Sequence, residues 1–132
     1  MGFRFEFDPE NKILLARFEG RLTDESLAEF SRAIRRYSIA TDASSGIWDF
    51  SAVTEFAISS DVIRQLARQA PAMPDATTRP RFIVAPETHA FGLARMFQIS
   101  GETTRPLLSV VRTLDQALGA LGAKSPHFEP LD

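Results

Sequence analysis

The chain has 132 residues, 44% of them hydrophobic and 24% charged, so one domain with its own core is expected and disorder throughout is disfavoured. A net charge of −2 supplies no field to draw in nucleic acid or anionic lipid. There is no cysteine, which removes disulfides, thiolate metal sites and a Cys nucleophile, and no apolar stretch approaches the ~20 residues of a membrane span.

Phe3, Phe5 and Phe7 alternate with Arg4, Glu6 and Asp8. That period of two predicts a half-buried strand. Asp8-Pro9-Glu10-Asn11 reads as a turn, because Pro9 fixes φ and Asn11 tolerates the left-handed region. Residues 13–18 predict a second strand, ended by Gly20. The two should form an antiparallel hairpin with the first strand at a sheet edge. Thr23 is a helix cap, with Asp24 and Glu25 at the positive helix end. Leu27, Phe30, Ile34 and Tyr37 recur at helical spacing behind it.

After a small polar loop, Ile47-Trp48-Asp49-Phe50 predicts a short strand leading into Ser51. Ser59 or Ser60 caps a second helix, whose face is Val62, Ile63, Leu66 and Ala70 and whose stop is Pro71. Residues 71–80 are a Pro-, Thr- and Asp-bearing loop. Residues 81–85 predict a strand broken by Pro86, and Thr88 caps a third helix that ends near Gly101. Residues 107–111 predict the last strand. Thr113 with Gln116 is a capping-box pattern and opens a fourth helix, closed by Gly122. Residues 123–132 carry two prolines and read as a loose tail after a domain of residues 1–122. The order β-β-α-β-α-β-α-β-α predicts an α/β fold with a mostly parallel sheet and an antiparallel N-terminal edge hairpin.

Several phrases sit on that frame. They are Gly20-Arg21-Leu22-Thr23, Trp48-Asp49-Phe50-Ser51-Ala52-Val53-Thr54 and Phe82-Ile83-Val84-Ala85-Pro86. Phe91-Gly92-Leu93-Ala94-Arg95-Met96-Phe97 and Thr113-Leu114-Asp115-Gln116-Ala117-Leu118 follow. In order and spacing they resemble the SpoIIAA-like, or STAS, domains of bacterial anti-sigma-factor antagonists, and more closely their STAS/SEC14-like relatives. The resemblance implies a SpoIIAA-like fold and a regulatory role. In the antagonists an Asp-Ser-Ser-Gly turn follows the third strand, and its first serine is phosphorylated by a partner kinase. This chain has Ile58-Ser59-Ser60-Asp61 there: both serines are present, while the acidic residue and the glycine are replaced.

Ser59 and Ser60 therefore have two readings. One is helix capping, worth ~1 kcal/mol. The other is a phosphoacceptor at a helix N-terminus, where free N–H groups favour an anion. The helix starts at Ser59, Thr88 and Thr113 should emerge at one edge of a parallel sheet, the edge where such sheets bind ligands. Glu87 and His89 join them as a candidate rim for a ligand or partner, although a surface histidine is the plainer reading of His89. Phe91, Arg95, Met96 and Phe97 are core residues or an apolar interface. Arg32, Arg35 and Arg36 read as a solvated helix face. Two histidines, one of them in the tail, make no metal-ligand pattern, and no G-x-S-x-G elbow, Walker A or dinucleotide glycine pattern is present.

The expected function is a non-enzymatic regulatory or protein-interaction domain. The alternative is a binding module for a small apolar, lipid-like or anionic ligand. No cofactor is implied. The partner expected is a protein or a second copy of the chain, and without a signal-peptide pattern at the start the expected location is the cytoplasm.

Overall fold

In the computed structural model, which describes residues 2–70 and 78–131, the alternating phenylalanines form β1 (Phe3–Asp8). They point to one face, and Arg4, Glu6 and Asp8 to the other. β1 pairs antiparallel with β2 (Ile13–Thr23), with Phe3 opposite Phe18 and Phe5 opposite Ala16. The rest of the chain runs α1 (Asp24–Ala40), β3 (Ser45–Ala57), α2 (Ser60–Arg68), β4 (Arg81–Val84), α3 (Thr88–Ser100), β5 (Leu108–Val111), α4 (Leu114–Ala120) and β6 (Glu129–Pro130). The sheet order is β5-β4-β3-β2-β1-β6. β2 to β5 are parallel neighbours, and the antiparallel strands lie together at the other edge. The expected α/β architecture is therefore present. Among the described residues no helix is long and apolar enough to cross a membrane.

The sheet buries both faces, unequally. α1, α2 and α3 cover the face carrying Leu14, Ala16, Phe18, Trp48, Phe50 and Ile83. α4 covers Ile13, Leu15, Ile47, Phe82 and Val84 on the other. Phe18 is fully buried, stacked on Phe50 at 4.3 Å and edge-on to Phe30 at 4.7 Å. Such a ring stabilises the fold by about 2–3 kcal/mol through burial alone. Where α4 stops, the second face turns polar: Arg17 bridges Glu6 at 3.0 Å and Asp49 at 3.7 Å.

Four local readings need correction. β2 does not end at Gly20 but runs on to Thr23, because Gly20 takes φ +74° and absorbs a register shift against β3. β3 extends correspondingly to Ala57, well past Phe50. The cap of α3 is Glu87, one residue before Thr88, since a carboxylate accepts from two amides at once, His89 N at 2.9 Å and Ala90 N at 3.0 Å.

The tail is the fourth correction. β6 pairs with β1, so β1 is not the outermost strand, and Leu131 N donates to the Phe5 carbonyl at 2.9 Å. Asp8 holds the approach to it, accepting from the backbone N–H groups of Glu10, Asn11 and His127 and from the Asn11 side chain. A sequence with no periodicity is thus ordered by partners far away in the chain. The loop expected at residues 71–80 lies, over 71–77, outside the described residues, and α2 already ends at Arg68.

Candidate functional site

Four helices begin just beyond the C-terminal ends of parallel strands: α1 after β2, α2 after β3, α3 after β4 and α4 after β5. Their capping residues, Thr23, Ser59, Glu87 and Thr113, therefore lie along one edge of the sheet. Thr23 is paired with Ala57 at the ends of β2 and β3, so the start of α1 lies beside the start of α2.

Ser59 uses that proximity. Its backbone is extended and its Oγ accepts from Val62 N at 3.2 Å, which makes it the cap of α2. The same hydroxyl donates to Oδ2 of Asp24 at 3.2 Å, and Ser59 N donates to Oδ1 at 3.0 Å. One carboxylate thus brackets both the amide and the hydroxyl of one exposed serine. Ser60 is exposed beside it, and Asp61 pairs loosely with Arg64 at 3.4 Å. Behind Ser59 the cleft between α1 and α2 carries Asp24, Arg32, Arg35, Gln65 and Gln69.

In the sequence Asp24 is only a helix-start acid. Its closeness to Ser59 follows from the full length of β2, and a strand ended at Gly20 hides it.

The remaining rim residues form a second group. Glu87 is exposed, and the two amides it accepts from hold its carboxyl below the usual range. His89 is exposed, its ring edge-on to Phe56 at 6.4 Å. Thr113 closes a complete capping box with Gln116. Arg112 reaches from the end of β5 to the Pro86 carbonyl at 3.3 Å and lies over the ring of Phe91 at 4.1 Å. Among the described residues no hydrogen bond or ion pair joins Ser59 to Glu87, His89 or Thr113. They share an edge without making one bonded cluster.

The apolar set on α3 is divided. Phe97 and Met96 are half-buried against the core, with Arg105 over the Phe97 ring at 4.9 Å. Arg95 is exposed and donates to Gln98 at 2.7 Å. Ile99, not singled out from the sequence, is the large apolar side chain that α3 leaves most exposed. Arg36 lies over the Tyr37 ring at 5.1 Å, while Arg32 and Arg35 face the α1–α2 cleft. Among the described residues no three His, Asp or Glu side chains come together as a metal site would require.

No family model matches the chain, and no curated protein does. Solved structures do. The Bacillus cell-fate determinant SpoIIAA in its phosphorylated form is similar with a TM-score of 0.56 at 18% identity, over 90% of this chain and 98% of that one. The anti-sigma-factor antagonist SpoIIAA in its unphosphorylated form is similar with a TM-score of 0.58 at 17% identity, over 92% and 97%. The chain has the fold of a SpoIIAA-like, STAS-type domain.

Proposed function

We propose that this SpoIIAA-like domain is a non-catalytic regulatory module of the cytoplasm that binds a protein partner through the rim around Ser59, and that phosphorylation of Ser59 switches that binding. The observation that carries this reading is the bracket of Asp24 on Ser59. An exposed hydroxyl at a helix start is reachable by a kinase, and its acidic neighbour accepts its proton-bearing side. A phosphoryl group there replaces the O–H donor with about −1.5 to −2 charges. Asp24 Oδ2 then loses its donor and faces like charge, with Asp61 adding to the repulsion. The tie between the starts of α1 and α2 is released, and the α1–α2 cleft behind it presents a different surface to a partner. The described forms of SpoIIAA, phosphorylated and unphosphorylated, support a fold that tolerates both states.

The test is a phosphopeptide map of the protein taken from its own cells, paired with quantitative partner capture. The expected results are a phosphoryl group on Ser59 and a partner whose affinity differs at least tenfold between Ser59→Asp and Ser59→Ala, a difference of about 1.4 kcal/mol. Circular dichroism should show both variants folded. An unmodified Ser59 together with equal partner binding by both variants refutes the switch.

A further inference from the structure

A cavity of about 360 Å³ lies between the sheet and the helices α1, α2 and α3. That volume falls at the small end of the ~300–1,000 Å³ of ligand pockets. Its wall is apolar along Trp48, Phe50, Ile83, Phe56 and Leu93. Among the described residues the charged side chains of the wall are Arg35, Arg81 and Arg105, with no carboxylate. Exposed Arg35, Gln69 and Ala70 mark its mouth.

The two buried arginines differ in kind. Arg105 is satisfied: it donates to the carbonyls of Ala67 at 2.9 Å, Gln69 at 3.0 Å and Leu66 at 3.3 Å, and so closes the C-terminal end of α2. Arg81 is not. It is 3% exposed, yet its Nε and Nη2 have no hydrogen-bond partner among the described residues. Those two nitrogens share one edge of the guanidinium, the edge that grips a carboxylate through two parallel N–H···O bonds. Sheet register fixes where Arg81 enters the wall. Arg81 is paired with Gly46, two residues before the Trp48–Ile83 pair, so the cation stands at one end of the apolar wall.

We propose that this cavity binds a small amphipathic carboxylate, its head held by the free edge of Arg81 and its apolar body lying along Trp48, Phe50 and Ile83 toward Phe56. Charge complementarity names the head, because a buried cation beside a second cation, without a partner for two of its nitrogens, favours an anion and the described residues of the lining provide none. The apolar wall names the body. A bare inorganic anion would leave that wall empty, and a neutral hydrocarbon would leave Arg81 unpaired. Burial and the neighbouring Arg105 lower the pKa of Arg81 to about 10, so it is still a cation at neutral pH. The cavity shares Arg35 and Gln69 with the α1–α2 cleft, but its preference for an acid does not require phosphorylation of Ser59 and is tested separately.

Trp48 is the single tryptophan of the chain and lines the cavity, so its emission reports on occupancy. Decanoate, decanol and inorganic phosphate are titrated separately against the whole protein, below the micelle concentration of the acid. The expected outcome is a saturable change with decanoate, about tenfold or more tighter than with decanol, and none with phosphate. Arg81→Met should erase the preference for the acid while keeping decanol binding. Equal affinity for acid and alcohol, no saturable change with decanoate, phosphate binding as tightly as decanoate, or an Arg81→Met variant with unaltered preference overturns the proposal. Should that variant fail to fold, the comparison of decanoate with decanol on the unaltered protein decides alone.

Discussion

At the start of β4 a guanidinium lies buried with no carboxylate beside it among the described residues, and the consequence for stability has a definite sign. Burial and Arg105 together make the folded state hold the Arg81 proton less tightly than the unfolded chain does. The resulting cost is present in full below the folded pKa of about 10 and is relieved only as pH rises above it. At neutral pH, removing the charge should therefore help the empty protein. Arg81→Met is expected to stabilise it by about 1–3 kcal/mol, read as a higher urea midpoint at an unchanged slope. A less stable variant would mean that Arg81 has a partner in the folded state. In β4 the period of two puts Arg81 on the same face as Ile83. Its burial depended on three helices closing over that face, which no local pattern records.

Among the elements, local signals were legible where the partners are close in the chain. Thr113 and Gln116 announced their capping box because both hydrogen bonds close within four residues. The end of β2 is not legible locally because Gly20 signals either a turn or a bulge, and only pairing with β3 chooses between them. A Cβ at Gly20 would meet nothing within 4 Å, so a substitution there isolates the backbone effect. Gly20→Ala is expected to destabilise by about 1 kcal/mol or somewhat more, through φ strain alone, measured by equilibrium urea unfolding. An unchanged midpoint would show the bulge relaxing to negative φ. The same bulge matters for the candidate site, since the residues beyond it deliver Asp24 to Ser59.

Over the whole molecule, residues 123–131 act as an edge cover. β6 occupies the side of β1 that would otherwise present unpaired backbone groups. Asp8 is the fastening. Burial alone would raise its pKa, but the hydrogen bonds from Asn11, His127 and Glu10 outweigh it and hold the carboxyl below 3.8. A carboxylate depressed in the folded state contributes stability above its unfolded pKa and loses it as pH falls through the lower folded value. The tail should accordingly loosen in acid below pH 3.8, seen as faster hydrogen exchange at the His127 amide. Asp8→Asn should show that loosening already at neutral pH, with a loss of about 1–3 kcal/mol. Exchange at His127 that is indifferent to both would mean that Asp8 is not what holds the tail.

The sequence by itself determined the alternation of strands and helices, the parallel middle of the sheet that follows from it, the caps of α1, α2 and α4 and the serine pair after the third strand. Each of these depends on spacings of two to four residues, which physics reads within one turn or one pleat. Tertiary structure alone decided that Asp24 meets Ser59, that the tail closes the β1 edge and that Arg81 is left without a counter-charge. Those outcomes join residues that are 35 or more positions apart, or depend on which face three helices cover. Sheet register and helix packing settle them, and both are properties of the assembled chain.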